Sequence, residues 1–349
     1  MRLRRSSVTG PGLRRVRRGR GFSYQQPDGS PVTDSETLQR IKDLVIPPAW
    51  KKVWICPHPN GHIQAVGTDV AGRRQYLYHQ QWQEERAEEK FDRVLDMAPR
   101  LPDMRRQIAA DLRGRGLQRD RVLALALHLL DLGYFRAGGE QYAEENNSFG
   151  ISTLLCEHVT LAREAVEFDY PAKSGVRRTL VIDDPEVVRS VRALVRRPDR
   201  TDRLLVCRNS PPQAGGAPTG WADVHADDLN ARFKELVGEE YTVKDLRTWH
   251  GTVLAAAAFV DADPPVNKSV IKRVESAVMK EVAEELGNTP AVARSSYVDP
   301  RVVEGYEREL TIAPAVRRAA RIRRPGERQA LLERSTTRLI RKVAKGINS

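Results

Sequence analysis

Four polar side chains have the chemistry and the local context of a reactive site: Arg136, Lys173, Arg247 and Tyr297. Arginine and lysine donate hydrogen bonds to phosphate oxygens, and a tyrosine hydroxyl can act as a nucleophile. Arg136 follows the apolar segment 121–132, which predicts a buried helix. Gly133 and Gly138-Gly139 flank it, so backbone can approach a ligand closely there. Taken singly, each of the four is better explained as a solvated or salt-bridging side chain.

The segment before Tyr297 predicts a helix, a tight turn and a second, short helix. Apolar residues recur at steps of three and four over residues 271–286, which is typical of a helix with one buried face. Gly287 ends that helix, and Thr289 and Pro290 supply an N-cap and a first-turn proline for the next one. We therefore expect Tyr297 near the end of a short helix.

Two other candidates lie on predicted elements of different kinds. Lys173 lies in a loop containing proline and glycine, between the β-like segments 164–170 and 176–182, which predicts a hairpin. Arg247 lies in the early turns of a helix that begins with the capping-box pattern Thr242-x-x-Asp245.

Residues 21–88 predict a small β-rich unit. The capping-box pattern Thr33-x-x-Glu36 predicts a short helix over about 34–45. Three short β-like segments follow, over residues 53–56, 62–66 and 73–79. Glycine-containing turns separate them, so we expect an antiparallel sheet.

From residue 89 onward the pattern is mostly helical. Further helices are predicted over about 91–113, 185–196 and 226–237, and residues 151–161 are β-like. Asn209–Gly220, rich in proline and glycine, is expected to be a flexible surface loop. A β-rich front module and a helical body would allow two lobes to grip a duplex from opposite sides.

The positive charge lies mainly at the two ends of the chain. Of a net charge of +12, residues 1–20 carry +8 and residues 311–349 carry +9, so residues 21–310 carry −5. Residues 1–20 are rich in arginine and poor in residues that could pack, so we expect a disordered basic arm. Such ends are typical of arms that neutralise nucleic-acid phosphates, and solvated tails are the alternative interpretation.

The chain lacks the signatures of several other protein classes. Cys56, Cys156 and Cys207 are odd in number and far apart, which indicates a reducing, cytoplasmic compartment and no disulfide framework or zinc site. No signal-peptide core and no membrane-spanning apolar run is present, so no membrane association is expected. The acidic pairs Asp183-Asp184 and Asp227-Asp228 each precede a predicted helix, where such residues usually act as caps. We therefore expect no metal and, without a phosphate-binding loop, no small-molecule cofactor.

Six segments, taken in order, carry a resemblance to a known family. They are Ile46-Pro47-Pro48-Ala49-Trp50, Asn60-Gly61-His62-Ile63-Gln64-Ala65, Tyr134-Phe135-Arg136, Asn147-Ser148-Phe149-Gly150, Lys244-Asp245-Leu246-Arg247-Thr248-Trp249 and Ser296-Tyr297. Over nearly its whole length the chain resembles the type IB DNA topoisomerases, specifically their small poxvirus-like and bacterial branch.

The resemblance implies an α+β fold with two lobes. A small N-terminal domain, rich in β-sheet, binds DNA over residues 21–88. A larger, mostly α-helical catalytic domain over residues 89–349 carries a small three-stranded antiparallel sheet and a basic C-terminal extension from about residue 311.

The resemblance also implies the reaction. Tyr297 is then the nucleophile, which attacks a backbone phosphodiester and leaves a 3′-phosphotyrosyl enzyme and a free 5′-hydroxyl, without ATP. Arg136 and Arg247 stabilise the charge of the transition state in place of metal ions, and Lys173 is the general acid for the leaving oxygen.

One position departs from the family's pattern. Many members place a histidine nine residues before the nucleophile, and here that residue is Asn288. An amide N–H can donate the same hydrogen bond to a phosphate oxygen but carries no charge. We therefore expect activity with a weaker pH dependence near pH 6 to 7. His250, on the helix face of Arg247, could fill the role, and a buried structural histidine is the alternative.

The front module carries candidate DNA-binding residues. Gln75, Tyr76 and Tyr78 match the strand that family members lay against DNA. On a strand Tyr76 and Tyr78 share one face and Gln75 points to the other, and aromatic residues of a half-buried sheet are the alternative interpretation. We expect a monomer that clamps around double-stranded DNA in the bacterial cytoplasm, on the nucleoid.

Two rival functions stay open from the sequence. Tyrosine recombinases share the covalent chemistry, but they typically show His-x-x-Arg at the second arginine, where this chain has Lys244-Asp245-Leu246-Arg247. A non-catalytic DNA-binding protein of the nucleoid would need the basic ends and no nucleophile.

Overall fold

The chain divides into two units after Asp92. The computed structural model describes residues 2–198, 201–208 and 220–346. Its units are Met1–Asp92 and Arg93–Ser349, against an expected boundary after residue 88. Each unit has a hydrophobic core of its own.

The first unit is built on a five-stranded antiparallel sheet. Its strands, in the order β2-β1-β3-β4-β5, are β1 (Leu13–Arg18), β2 (Gly21–Gln25), β3 (Lys51–Ile55), β4 (Ile63–Thr68) and β5 (Arg74–Tyr78). Leu13, Ile55 and Ala65 are buried and form one core with Ile41 of helix α1 (Ser35–Asp43). The predicted helix and three predicted strands are confirmed to within a few residues at each end.

The prediction of a disordered arm over residues 1–20 is wrong. Leu13–Arg18 forms β1, which pairs with both β2 and β3. Before it, the backbone of Arg4 hydrogen-bonds the loop between β3 and β4, with N···O distances of 2.9 Å. Leu13 is buried while most arginines of β1 are exposed. The strand therefore packs one face and leaves its charges in water, and its composition hid that alternation.

Gln64 holds the turn that precedes it in the chain. Its side chain is buried, and Nε2 donates to the carbonyl oxygens of Gly61 at 2.7 Å and Pro59 at 3.0 Å. Its Oε1 accepts from Nη1 of Arg40 at 2.9 Å. Because these hydrogen bonds satisfy the buried Gln64 amide, its side chain fixes the loop between β3 and β4.

The second unit is mostly helical. Its elements in chain order, beginning with the helix that contains the boundary, are α2 (Gln80–Met97), α3 (Leu101–Leu112), α4 (Arg119–Asp131), α5 (Glu140–Asn146), β6 (Val159–Leu161), β7 (Val166–Pro171), β8 (Arg177–Ile182), α6 (Pro185–Val195), β9 (Val206–Arg208), β10 (Trp221–Asp223), α7 (Ala226–Val237), α8 (Val243–Ala258), α9 (Lys268–Leu286), α10 (Pro290–Val292), α11 (Pro300–Glu307), α12 (Ala313–Ala319) and α13 (Pro325–Ala344). Among the described residues, no helix is both long and apolar enough to cross a membrane.

Helices α4 and α8 form the centre of this unit. Residues 121–127 of α4 are all buried, and α4 packs against α3, α7 and α8. Helix α8 buries Leu246, Trp249 and Val253 in the same core. Two buried helices in contact give a rigid frame for the polar residues at their ends.

A three-stranded antiparallel sheet, in the order β6-β7-β8, lies in this helical unit, as the resemblance implied. A 3₁₀ turn, Lys173–Gly175, joins β7 and β8, so the predicted hairpin is confirmed. The β-like segment predicted over 151–161 is wrong for its first part, because residues 151–153 and 156–158 form 3₁₀ turns. The loop predicted over Asn209–Gly220 lies outside the described residues apart from Gly220.

The basic C-terminal region is folded as well. Leu339, Ile340 and Val343 of α13 are buried, and α13 packs against α8, α11 and α12. Arg105 of α3 donates two hydrogen bonds of 2.8 Å to Glu333 of α13. The apolar face of α13 thus belongs to the core of the second unit.

Candidate active site

Tyr297 lies at the end of the short helical segment that the sequence predicted after Gly287. Gly287 terminates α9 in the left-handed conformation, with φ of 60°. Thr289 caps α10 by accepting from the backbone N–H of Val292 at 3.3 Å. The turn that follows, Ala293–Tyr297, is π-helical and carries Tyr297 as its last residue, with the side chain buried. The predicted helix, turn and short helix are confirmed, and the π-helical ending is new.

Helix α8 holds the backbone of Tyr297. The hydroxyl of Thr252 lies 3.1 Å from the carbonyl oxygen of Tyr297 and accepts from the backbone N–H of Asp299 at 3.1 Å. Gly251 makes the approach possible, because a Cβ there would lie 2.9 Å from the carbonyl oxygen of Tyr297. The tyrosine is therefore fixed relative to the helix that carries Arg247.

Arg247 lies beside the ring of Tyr297. Its Cζ is 5.5 Å from the ring centroid, and only 7% of the residue is exposed. Its Nη1 donates to the carbonyl oxygens of Phe135 at 3.2 Å and Gly133 at 3.3 Å. Within the described residues, its Nε and Nη2 have no hydrogen-bond partner. Part of a buried guanidinium thus stays available to a ligand.

Arg136 reaches the same place from the loop after α4. Its Nη2 donates to the carbonyl oxygen of Gly287 at 2.9 Å and to Oδ1 of Asn288 at 2.5 Å. Its own carbonyl accepts from the N–H of Ile151 at 2.8 Å. A Cβ on Gly150 would lie 2.7 Å from that carbonyl, so the glycine allows the segment 147–150 to support the loop.

The site is electrostatically prepared for an anion. In the described residues, no carboxylate lies within ion-pair distance of Arg136 or Arg247. Burial lowers the pKa of Arg247 to about 10, the charge of Arg136 lowers it as well, and the nearby Tyr297 acts in the opposite direction. Arg136, Arg247, Lys244 and Tyr297 line a cavity of about 210 Å³. A phosphate there would supply the missing negative charge.

Lys173 occupies a neighbouring position. It is exposed on the β7–β8 turn and lines a second cavity of about 210 Å³ together with Arg136, Ser148 and Phe149. Arg136 therefore borders both cavities. The structure brings Arg136, Arg247, Asn288 and Tyr297 together and places Lys173 on the adjoining turn.

Asn288 contacts an arginine of the site, whereas His250 packs against the glycine that follows α4. The Asn288 amide accepts from Arg136, while its Nδ2 lies 3.4 Å from the carbonyl oxygen of Leu286. The ring of His250 packs against Gly133, where a Cβ would lie 2.3 Å from its Cδ2. Burial lowers the pKa of His250 to about 4. His250 keeps part of its surface exposed, and these features favour its interpretation as a structural histidine.

Sequence reasoning did not single out three residues near the site. Lys244 lines the cavity of Tyr297, and its spacing of three from Arg247 on one helix was a usable signal. Thr252 lies five residues after Arg247, outside the spacing of three or four that this argument uses. Arg178 of β8 hydrogen-bonds the end of α9, 106 residues away, and no local pattern signals such a contact.

Tyr76 and Tyr78 lie on one exposed face of β5 in the first unit. Their rings stack at 6.0 Å with an angle of 16° between the planes, and Arg74 lies over Tyr76. They are 38% and 40% exposed, so the interpretation as core aromatics is not supported. Gln75 points to the other face, as predicted, and donates to Asp69 at 2.9 Å.

The acidic pairs Asp183-Asp184 and Asp227-Asp228 each place one aspartate at the start of a helix, where it accepts a backbone hydrogen bond. Asp184 accepts from the backbone N–H of Glu186 at 2.8 Å and caps α6. Asp228 accepts from the N–H of His225 at 2.8 Å at the start of α7. In the part of the chain that the structure describes, no group of three or more His, Cys, Asp or Glu side chains is arranged to hold a metal ion.

Comparison with known proteins decides the family. A sequence model described as the catalytic core of eukaryotic DNA topoisomerase I matches residues 79–319. The chain belongs to the type IB DNA topoisomerase family. A second model, described as the N-terminal domain of bacterial DNA topoisomerase IB, matches residues 21–69. The five candidate site residues of the second unit all lie within the matched catalytic core.

Individual topoisomerases align with the chain, the two viral ones over most of its length. DNA topoisomerase 1B of Acanthamoeba polyphaga mimivirus is 30% identical over 299 residues, which are 85% of this chain and 88% of the viral protein. DNA topoisomerase 1B of vaccinia virus (strain Copenhagen) is 22% identical over 293 residues, 79% of this chain and 84% of that protein. DNA topoisomerase 1 of Schizosaccharomyces pombe is 28% identical over 158 residues, 45% of this chain but 19% of the yeast protein.

Proposed function

We propose that this member of the type IB family relaxes supercoiled DNA by cutting one strand, allowing rotation, and resealing the cut without ATP. The observation that carries the proposal is the pairing of a tyrosine with two arginines that have no carboxylate partner among the described residues. The Cζ atom of Arg247 lies 5.5 Å from the ring centroid of Tyr297, and Arg136 lines the same cavity. Such an arrangement suits a phosphodiester bound next to a nucleophile.

In the proposed reaction the Tyr297 oxygen forms a bond to phosphorus, and the bond from phosphorus to the 5′-oxygen breaks. The phenol gives up one proton and the leaving oxygen takes one. The phosphotyrosyl ester keeps the energy of the broken bond, so the 5′-hydroxyl can attack it and restore the strand. Lys173, exposed on its turn, supplies the proton in cleavage and removes it in resealing.

Arg136 and Arg247 act on the non-bridging oxygens of the phosphate. The pentacoordinate transition state carries more negative charge on these oxygens than the ground state does. Preorganised donors at such positions commonly contribute ~3–4 kcal/mol each. Arg247 is well prepared for this role, because its Nε and Nη2 find no partner within the described residues.

Asn288 has two roles in the proposal. Its Oδ1 orients the Arg136 guanidinium, which it contacts at 2.5 Å. Its Nδ2 donates to a non-bridging phosphate oxygen, since its contact to the carbonyl oxygen of Leu286 is long, at 3.4 Å.

The substrate in this proposal is double-stranded DNA, bound by a monomer that clamps around the duplex in the bacterial cytoplasm. The exposed Tyr76 and Tyr78 of β5, with Arg74 over Tyr76, support DNA binding by the first unit. Gln75 contributes from the other face of that strand. Basic side chains at both ends of the chain supply further phosphate contacts.

The test is relaxation of a supercoiled plasmid in EDTA without ATP. We expect relaxation by the natural protein and none by Tyr297→Phe, with DNA binding retained. The matched control is Tyr306→Phe, which removes a hydroxyl that donates to the carbonyl oxygen of Asp263. Tyr306 lies outside the residues that line the cavity of Arg136, Arg247 and Tyr297. Relaxation by Tyr297→Phe would overturn the proposal. Binding without relaxation by the natural protein would indicate a non-catalytic DNA-binding protein.

A further inference from the structure

Arg178 joins the β7–β8 hairpin to the end of α9. It lies on β8, five residues after Lys173 in the sequence. Its Nη1 donates to the carbonyl oxygen of Glu284 at 3.0 Å, and its Nη2 donates to that of Glu285 at 2.9 Å. One guanidinium thus bridges two successive carbonyls in the last turn of a helix.

The contact is favourable for two physical reasons. Carbonyls in the last turn of a helix have no further helical N–H to accept from, although that of Glu284 also accepts from the N–H of the cap residue Gly287 at 3.1 Å. The C-terminal end of the helix dipole also attracts positive charge. Gly287 leaves room for the side chain, because a Cβ there would lie 3.2 Å from Nη1 of Arg178. Gly287 also has a φ of 60°, a conformation that favours glycine. A glycine at this position therefore allows both the turn and the contact with Arg178.

The other strand of the hairpin is anchored near Arg136. The backbone N–H of Phe149 donates to the carbonyl oxygen of Pro171, at the end of β7, at 2.9 Å. Phe149 belongs to the segment 147–150 that supports the Arg136 loop. The Lys173 turn is therefore held on one side through β7 and on the other through Arg178.

The two anchors lead to the same group of side chains. Asn288, three residues after Glu285, accepts from Arg136, and the chain continues from there to Tyr297. A change at Arg178 would remove the contact of β8 to α9 while leaving the pairing of β7 with β8 and the Arg136–Asn288 hydrogen bond in place. The substitution should therefore slow the step in which Lys173 protonates the leaving 5′-oxygen.

We propose that Arg178 is a positioning residue that holds the β7–β8 turn so that Lys173 reaches the leaving 5′-oxygen. This inference rests on the proposed function of Lys173 as the proton donor. Arg178 itself touches neither the phosphate nor the leaving group in this account.

The experiment compares two DNA substrates in single-turnover cleavage. One has the natural 5′-oxygen at the scissile bond, and the other has sulfur there. A thiol has a pKa near 8.5 and leaves as a thiolate without a proton, so cleavage of the sulfur substrate does not need the general acid. Arg178→Met should cleave the oxygen substrate roughly 10- to 100-fold more slowly than the natural protein and the sulfur substrate at nearly the natural rate. Lys173→Ala should show the same pattern more strongly.

Arg177→Met is the matched control. Arg177 is the neighbouring residue on β8, and its guanidinium pairs with Asp169 of β7 within the same hairpin. Its loss removes the same charge without releasing the contact to α9, so both substrates should be cleaved at natural rates. Arg178→Lys keeps the charge but lacks the rigid planar fork that bridges the two carbonyls here, so its cleavage of the oxygen substrate should be slowed by a smaller factor than that of Arg178→Met. Thermal unfolding of each variant identifies any that does not fold.

Equal slowing of both substrates by Arg178→Met, or no slowing, would overturn the inference. So would an Arg177→Met variant that behaves like Arg178→Met. A failure of sulfur to restore cleavage by Lys173→Ala would remove Lys173 as the proton donor and the inference with it, while Tyr297 would stand as the nucleophile. Cleavage of either substrate by Tyr297→Phe would instead overturn the proposed function.

Discussion

Arg136 donates a hydrogen bond to Asn288, with 2.5 Å between Nη2 and Oδ1. The two residues are 152 positions apart in the sequence, and their contact joins the loop after α4 to the turn after α9. Both segments lead directly to the cavity of Tyr297. The residue nine positions before Tyr297 is therefore a neutral group that orients a charged one.

The first prediction concerns the pH dependence of cleavage. Neither Asn288 nor His250 should titrate between pH 6 and 7, because an amide carries no such proton and burial lowers the pKa of His250 to about 4. The single-turnover cleavage rate should stay nearly constant over that range. Asn288→His should introduce a titration there. A clear titration near pH 6 to 7 in the natural protein would contradict the assignment of Asn288.

The second prediction concerns stability in acid. The folded protein holds His250 with a pKa of about 4, below the ordinary value of 6.5, because burial disfavours the charged ring. The unfolded chain therefore binds more protons between these values. The contribution of neutral His250 to the free energy of unfolding is fully present above about pH 6.5. It is lost as the pH falls toward 4, by as much as about 3 kcal/mol.

His250→Gln removes this titration. The free energy of unfolding, measured in urea at several pH values, should fall less steeply with decreasing pH in the variant than in the natural protein. An unchanged slope between pH 6.5 and 4 would show that His250 is not held neutral by the fold.

The third prediction concerns the support of Tyr297. Thr252→Val keeps the shape of the side chain but removes the hydroxyl that contacts the Tyr297 carbonyl and the Asp299 N–H. We expect a loss of about 1 kcal/mol or more in the free energy of unfolding and a slower cleavage step. Thr248→Val is the control, because among the described residues its hydroxyl contacts only the Lys244 carbonyl of its own helix, at 3.4 Å. Equal cleavage rates in the two variants would argue against a positioning role for Thr252.

The fourth prediction separates charge from packing in α13. Arg334, Arg338 and Arg341 are exposed on one side of α13, whereas Ile340 is fully buried. Replacing the three arginines by glutamine should change the free energy of unfolding by no more than about 0.5 kcal/mol each. It should also weaken DNA binding and reduce the slope of log K against log salt by about 0.9 for each DNA phosphate that the variant no longer neutralises.

Ile340→Ala is the comparison variant. It should destabilise the second unit by about 2–5 kcal/mol because it leaves a cavity in the core. Deleting residues 311–349 would combine both effects, so deletion cannot report on DNA binding alone. An unchanged salt slope in the arginine variant would mean that this face of α13 does not contact DNA phosphates.

Local signals in the sequence were sufficient for the elements near Tyr297. Gly287, Thr289 and Pro290 act through the backbone within a few residues, so their types alone predicted the turn and the short helix. The capping box at Thr242 predicted the start of α8 for the same reason. Helix caps and turns of this kind require no knowledge of the tertiary fold.

Contacts between distant segments had no such signal. The bridge from Arg178 to α9 spans 106 residues, and its geometry depends on how the small sheet packs against a helix. The strand Leu13–Arg18 was missed because its four arginines outweigh the single buried Leu13 in any compositional argument. The π-helical ending at Tyr297, which packs on α8, likewise had no signal in the local pattern.

Covalent capture of DNA tests the central claim most directly. The protein is mixed with a nicked or otherwise non-resealable duplex labelled at either end of the cut strand, denatured, and digested to locate the peptide that carries nucleotide. We predict that the strand attached through its 3′ end remains with the protein, and that the modified peptide contains Tyr297. Attachment through the 5′ end, or at another residue, would contradict the account.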